Sequence, residues 1–262
     1  MDGKKVIRVV LVIVAAATLI GINVYRVYSI KQHQKYENQS QMFREMEYQR
    51  LMKEREAAEK AKDPVGSIIE RAVESATDND PDKMYDLGLC YYNGTGFDQS
   101  YKTAFSWFLK AAKMGHADSQ RMLGVMYLEG MGVDKDCEEA VSWIQKACKT
   151  DDPASLYLMG LCYHYGYGVE QDYEEAMNWY LKASDKGFYT ACNNIGVLYQ
   201  YGNGVDKDYE EAVYWYRKAA IEDVAIAQYN LGEMYKYGKG VKQDDEKAEY
   251  WYEKAKENGF EQ

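Results

Sequence analysis

The sequence predicts an all-α protein: an α-solenoid of helix-turn-helix repeats behind an N-terminal transmembrane helix. Three observations carry that prediction. The five tryptophans, Trp107, Trp143, Trp179, Trp215 and Trp251, stand 36 residues apart. Gly88, Gly124, Gly160, Gly196 and Gly232 keep the same phase, as do Tyr91, Tyr127, Tyr163, Tyr199 and Tyr235, and so does a Gly-x-Gly pair beginning at Gly94, Gly130, Gly166, Gly202 and Gly238. An almost wholly apolar run, Val9 to Tyr25, lies between basic flanks near the N-terminus. A fixed period of this length is the signature of stacked supersecondary units, none of which can bury its apolar face alone.

The first element is a basic leader, residues 1–8, with Lys4, Lys5 and Arg8. Residues 9–30 follow as a transmembrane signal anchor. The 17 residues from Val9 to Tyr25 are near the lower limit for a spanning helix, which the flanking Arg8 and Arg26 lengthen by snorkelling. A cleaved signal peptide is the alternative, with small residues at Ala15-Ala16-Ala17, although the apolar run continues through Leu19, Ile20 and Ile22. The leader argues for a cytoplasmic N-terminus and extracytoplasmic repeats in a single-pass protein. Arg26, Lys31, Lys35 and Arg44 weigh against that orientation.

Residues 31–63 form a charged stalk with i,i+4 pairs such as Arg50 with Glu54 and Arg55 with Glu59. If fully helical, the stalk is about 50 Å long. Met42, Phe43, Met46, Tyr48 and Leu51 sustain no heptad, so nothing specifies a coiled coil. Residues 64–79 read as a capping helix, a degenerate second half-repeat ending at Asn79. Residues 80–262 hold five repeats of 36 residues.

Within a repeat, Leu87, Gly88 and Tyr91 fall on one face of a first helix, and the glycine admits a close neighbour. Gly94-x-Gly96 ends that helix, because residues without a Cβ take the left-handed conformation that satisfies its last carbonyls. Asp136, Asp172 and Asp208 precede Glu139, Glu175 and Glu211 by three residues, the spacing of a capping box. In the second helix, Ala104, Trp107 and Ala111 form a narrow stripe, from which the indole is expected to pack on the first helix. Gly115, Asp151, Gly187, Asp223 and Gly259 mark the second turn. At the end of the array Lys256 replaces the small residues Ala112, Cys148, Ser184 and Ala220, as expected of a final repeat with nothing stacked on it.

The run Leu231-Gly232-x-x-Tyr235-x-x-Gly238-x-Gly240-Val241-x-x-Asp244-x-x-Lys247-Ala248-x-x-Trp251-Tyr252-x-Lys254-Ala255 resembles the Sel-one-like repeat, a relative of the tetratricopeptide repeat. The resemblance covers about the last 180 residues. It implies a right-handed superhelix of helix hairpins that serves as an adaptor or scaffold in protein complexes. It implies no shared reaction. One branch of that family staples repeats with cysteine pairs eight residues apart, and has been linked to penicillin binding and hydrolysis. Here Cys148 would face Leu156, and Cys192 would need a partner at Ser184, so the ladder is broken. No Ser-x-x-Lys nucleophile motif is present.

The net charge of −10 is unevenly distributed. Residues 1–30 carry four basic and one acidic side chain, and residues 31–63 carry eight and seven, leaving −14 on the remainder. An acidic array disfavours nucleic acid. His33, His116 and His164 are scattered, so no metal and no cofactor is expected. The Gly-x-Gly turns follow helices, unlike a dinucleotide fingerprint. The reading is therefore non-enzymatic: a membrane-tethered scaffold that binds a protein or peptide segment. The alternatives are an exported receptor-like binder of a peptidoglycan or host component, and a β-lactam-binding or hydrolysing protein.

Positions that vary between repeats, on the first-helix face away from the invariant core, are the candidate partner-binding residues. They are Tyr85, Leu89 and Tyr92 in repeat one, Arg121 and Val125 in repeat two, and Tyr157, Leu161 and His164 in repeat three. Such a face commonly lines the concave side of a solenoid. Tyr165, Tyr201 and Tyr237, just before the turn glycines, are read as loop packing.

Overall fold

The computed structural model describes residues 79–260. The expected leader, anchor, stalk and most of the capping helix lie outside the described residues. Among the described residues, no helix is long and apolar enough to cross a membrane.

Among the described residues, ten α-helices form five hairpins and there is no strand. The first helices are α1 (Pro81–Asn93), α3 (Ala117–Glu129), α5 (Pro153–Tyr165), α7 (Tyr189–Tyr201) and α9 (Ala225–Tyr237). The second helices are α2 (Tyr101–Lys113), α4 (Cys137–Ala147), α6 (Tyr173–Asp185), α8 (Tyr209–Ala220) and α10 (Asp245–Glu257). Each packs mainly on its hairpin partner and then on the next helix in the chain, which is the local connectivity of a solenoid.

The turns form as the residue types dictate. Gly94, Gly130, Gly166, Gly202 and Gly238 are left-handed C-caps, and each donates its amide to a carbonyl near the helix end. At the second turn, Gly115, Asp151, Gly187, Asp223 and Gly259 all have positive φ, and so does Asn79 in the equivalent place. The N-caps differ from the expected box in one respect. Asp136 accepts from the Glu139 amide at 3.0 Å, and Asp172 from that of Glu175 at 3.0 Å. The cap's own amide is not held by the glutamate. It donates instead to the tyrosine carbonyl on the first helix: Asp136 to Tyr127 at 3.0 Å, Asp172 to Tyr163 at 2.9 Å, Asp208 to Tyr199 at 3.0 Å and Asp244 to Tyr235 at 3.0 Å. The in-phase tyrosine thus closes the turn through its backbone.

The glycine in the middle of each first helix receives the residue after the tryptophan, not the tryptophan. A Cβ on Gly160 would stand 2.5 Å from the Tyr180 ring, one on Gly88 2.5 Å from Phe108 and one on Gly196 2.7 Å from Tyr216. Tyr180, Tyr216 and Phe108 are completely buried. The indoles lie elsewhere in the stack. Trp143 belongs to a core cluster with Ala104, Phe108 and Ala112 of repeat one and Met122, Leu123 and Met126 of repeat two, and Trp251 packs on a cluster of buried residues from repeats four and five. Each of the first four indoles is covered by the lysine one turn later, from Lys146 on Trp143 at 3.6 Å to Lys218 on Trp215 at 4.9 Å. Trp143 and Trp251 therefore lie at joints between repeats, whereas the neighbouring rings close hairpins.

The second glycine of each turn sets the distance between repeats. At φ +69°, a Cβ on Gly204 would lie 2.7 Å from the Tyr173 carbonyl carbon and 2.8 Å from the Glu174 amide nitrogen. The corresponding Cβ atoms on Gly132, Gly168 and Gly240 would overlap the carbonyls of Tyr101, Cys137 and Tyr209. Backbone meets backbone at the start of the preceding second helix.

Side chains eight residues apart also bridge repeats. Gln120 donates to the Ala112 carbonyl at 3.1 Å, Gln228 to that of Ala220 at 3.0 Å, and the Cys192 thiol to Ser184 Oγ at 3.3 Å. All five cysteines are free thiols. Burial pushes Cys148 and Cys162 up to about 12. A raised thiol pKa stabilises the fold fully below the unfolded value near 9, and that contribution is lost as pH climbs toward 12, because only the unfolded chain releases the proton. Stability is expected to fall by about 1 kcal/mol per thiol per pH unit above 9. Urea unfolding at pH 8 and pH 10 checks this, and the difference should shrink in the Cys148→Ala/Cys162→Ala chain.

Candidate partner-binding face

The varying positions of the first helices lie in two environments. Arg121 is fully buried, and Val125, Tyr157 and His164 are each less than 8% exposed. Tyr85, Leu89, Tyr92 and Leu161 are half-buried.

Three of the buried four have assigned work in the stack. Arg121 pairs with Asp118 at 2.8 Å in its own helix and with Asp152, the N-cap of α5, at 3.5 Å. Tyr157 packs on Phe188 at 4.9 Å between centroids, and its hydroxyl accepts from Asn194 Nδ2 at 3.3 Å. Asn193, at the same phase, accepts from Asn230 at 2.7 Å. These bonds link neighbouring first helices. His164 has a different task. Its Nδ1 lies 3.2 Å from the hydroxyl of Tyr180, the ring that fills the Gly160 notch. Gln200 accepts from Tyr216 in the same way at 2.6 Å. A buried phenol needs a hydrogen-bond partner, and the varying residue provides one. Burial also drives Tyr157, Tyr180 and Tyr216 above the ordinary phenol value, so all three stay protonated.

A regular clasp emerges at a spacing of 31 residues. Tyr85 meets His116 at 4.9 Å, Arg121 meets Asp152, Tyr157 meets Phe188, and Tyr229 stacks on Phe260 at 4.6 Å. Each pair joins a first helix to the segment that begins the next repeat, or closes the last one. The signal was present in the sequence as matched variation: where Tyr becomes Arg, the partner becomes Asp.

The half-buried four differ in kind. Tyr92 packs edge-on to Tyr101 at 5.1 Å, and its hydroxyl lies 3.5 Å from Met131 Sδ. Leu89 flanks the repeat-one core. Along the same face, repeat five has the exposed Lys236, paired with Asp245 at 3.0 Å, and Glu233. An apolar and aromatic end thus gives way to an ionic one. Tyr165 packs on Tyr167 and His164 within the turn region, whereas Tyr201 and Tyr237 are exposed at 45% and 61%. Among the described residues, no group of three or more His, Cys, Asp or Glu could hold a metal ion.

Hairpins stacked through backbone glycines and side-chain clasps, with a variable first-helix face, define a helical-repeat solenoid. The Sel1 repeat model matches residues 84–116, 117–152, 153–188, 190–223 and 225–260, and the chain belongs to that family. Sel1 repeats typically mediate protein–protein interaction, and the family is generally non-enzymatic. A Sel1 repeat protein from Oxalobacter formigenes is 41% identical, with a TM-score of 0.66, over 70% of this chain and 74% of its own. A protective antigen of uropathogenic Escherichia coli with the same fold is 36% identical, with a TM-score of 0.68, over 73% of this chain. The match spans only 41% of that antigen. An immunity protein from Pseudomonas aeruginosa, 16% identical over 74% of each chain with a TM-score of 0.53, shares the fold alone. No curated protein matches the chain.

Proposed function

We propose that the protein is a membrane-tethered, non-enzymatic scaffold that holds a partner protein segment against the first helices of repeats one to three. The observation that carries this reading is the contrast along one face. Tyr85, Leu89, Tyr92 and Leu161 offer partly open apolar and aromatic surface, while the equivalent end in repeat five carries the exposed Lys236–Asp245 ion pair. Aromatic side chains already held by neighbours lose little entropy on binding and make good anchors. The buried Arg121, Val125, Tyr157 and His164 support the groove from beneath. The apolar run at Val9 to Tyr25 supports a tether, and the basic leader supports a cytoplasmic N-terminus with the repeats on the far side.

A photo-crosslinking residue placed at Leu89 in the full chain, irradiated in native membranes, should trap a partner identifiable by mass spectrometry. The same probe at Lys236 should trap several-fold less. Equal trapping from both positions would remove the groove, and recovery of the chain in the soluble fraction would remove the tether. A C-terminal reporter active only in the cytoplasm tests the orientation, and activity would reverse it.

A further inference from the structure

One stripe of the second helix of repeat two, at positions i, i+3, i+4 and i+7, reads Ser142, Gln145, Lys146 and Lys149, with neither an apolar residue nor a carboxylate. The same stripe has at least one of these in every other repeat: Leu109 in repeat one, Leu181 and Asp185 in repeat three, Tyr214 and Ile221 in repeat four, Tyr250 and Glu253 in repeat five. The winding changes here as well. Regular α-helix stops at Ala147, and a 3-10 turn, Cys148–Thr150, completes α4. At this place the four side chains, together with Cys148 and with Trp179 of α6, line an open groove of about 510 Å³.

The cations around this groove are not matched within the chain. Among the described residues, Lys146, Lys149 and Lys182 form no ion pair with a carboxylate. The acids beside Cys148 are already engaged, since Asp151 pairs with Lys186 at 3.1 Å, and Asp152 caps α5 and pairs with Arg121 at 3.5 Å. Glu138 and Glu175 stand one turn before Ser142 and Trp179, outside the groove lining. Two of the ammonium groups are held over indoles, Lys146 on Trp143 at 3.6 Å and Lys182 on Trp179 at 4.1 Å. A ring face steadies an ammonium group without neutralising it, so the charge stays available to a ligand. Gln145 and Lys149 are exposed, and Trp179 is partly exposed. The groove thus presents two ammonium groups, an amide and a hydroxyl beside an indole.

An open groove covers a ligand on one side only, which suits a side chain presented by a longer segment better than a free small anion, whose binding depends on enclosure. The rest of the array is acidic, so it repels polyanions and leaves room for one or two negative charges. We propose that the groove between α4 and α6 is a binding site of its own, occupied by an acidic side chain of an extended protein segment. Lys146 and Lys149 hold its carboxylate through charge-assisted hydrogen bonds, and the segment's adjoining apolar residue lies on the Trp179 indole. The site is built from second helices and does not rest on the first-helix groove.

The test uses the full chain in mild detergent, with 5-fluorotryptophan at the five tryptophan positions and the Trp179 fluorine signal assigned by its loss in Trp179→Phe. The probe is an acetylated, amidated pentapeptide, Ala-Leu-Glu-Leu-Ala. It should shift the Trp179 signal saturably, leave the Trp107 signal unmoved, and bind more weakly as salt is added. Lys146→Gln and Lys149→Gln should each weaken binding about fivefold, as should replacing the peptide's glutamate with glutamine, whereas Lys110→Gln should leave it unchanged. No saturable shift up to about 10 mM peptide overturns the proposal. So does equal binding of the glutamine peptide, or unchanged binding in both Lys146→Gln and Lys149→Gln. Acetate or inorganic phosphate shifting the Trp179 signal at the same concentrations as the peptide makes the occupant a free anion and overturns it as well.

Discussion

Gly168→Ala is expected to destabilise the repeat array by about 3–5 kcal/mol and to split its unfolding into two steps. The residue has φ +66°, and its Cβ would overlap the Cys137 carbonyl at the start of α4. A left-handed alanine alone costs about 1–2 kcal/mol. The rest comes from prising the turn of repeat three away from repeat two, where the colliding atoms are backbone and cannot move aside. Gly187→Ala is the control. It also has positive φ, at +85°, but nothing lies within 4 Å of its Cβ, so about 1 kcal/mol is expected. Urea unfolding followed by circular dichroism measures both. Similar losses for the two variants would mean that conformational strain alone matters and that close approach between repeats does not.

The second large effect concerns the ring beside each tryptophan. Tyr180→Ala should cost about 3–5 kcal/mol, since it empties a fully buried site under Gly160 and removes the hydroxyl that pairs with His164. Trp179→Ala should cost less, about 1–3 kcal/mol, because the indole is partly exposed and borders an open groove lined by Ser142, Gln145, Lys146 and Lys149. Tyr180→Phe isolates the hydroxyl and should cost about 1 kcal/mol. A Trp179→Ala loss exceeding that of Tyr180→Ala would restore the tryptophan as the hairpin's main closure.

These cases show why the sequence was legible at one level and opaque at the next. Periodicity identifies which positions are equivalent, and a glycine, an N-cap aspartate or a C-cap turn acts within a few residues of itself. Hairpins, turns and repeat count follow from such local rules. The tryptophan is the most conspicuous member of the repeat, yet the glycine notch is filled by its neighbour. Adjacent helical residues point about 100° apart, and only the packed hairpin decides which of the two meets the first helix.

The candidate binding residues illustrate the same boundary. Variation among Tyr85, Arg121 and Tyr157 looked like a surface read by a partner. The structure matches each variant to a co-varying residue 31 positions later, as with Arg121 and Asp152. Variation at a buried joint and variation at an open face look alike along one chain, because both depart from the repeat average.

By itself, then, the sequence determined the helical-repeat class, the five hairpins and the chemistry of their turns, since these depend on backbone preferences and short-range capping. The tertiary structure alone decided which side chains remain open. Exposure in a solenoid is set by the repeat stacked alongside, and a residue's nearest neighbours there lie about one period away rather than one helical turn.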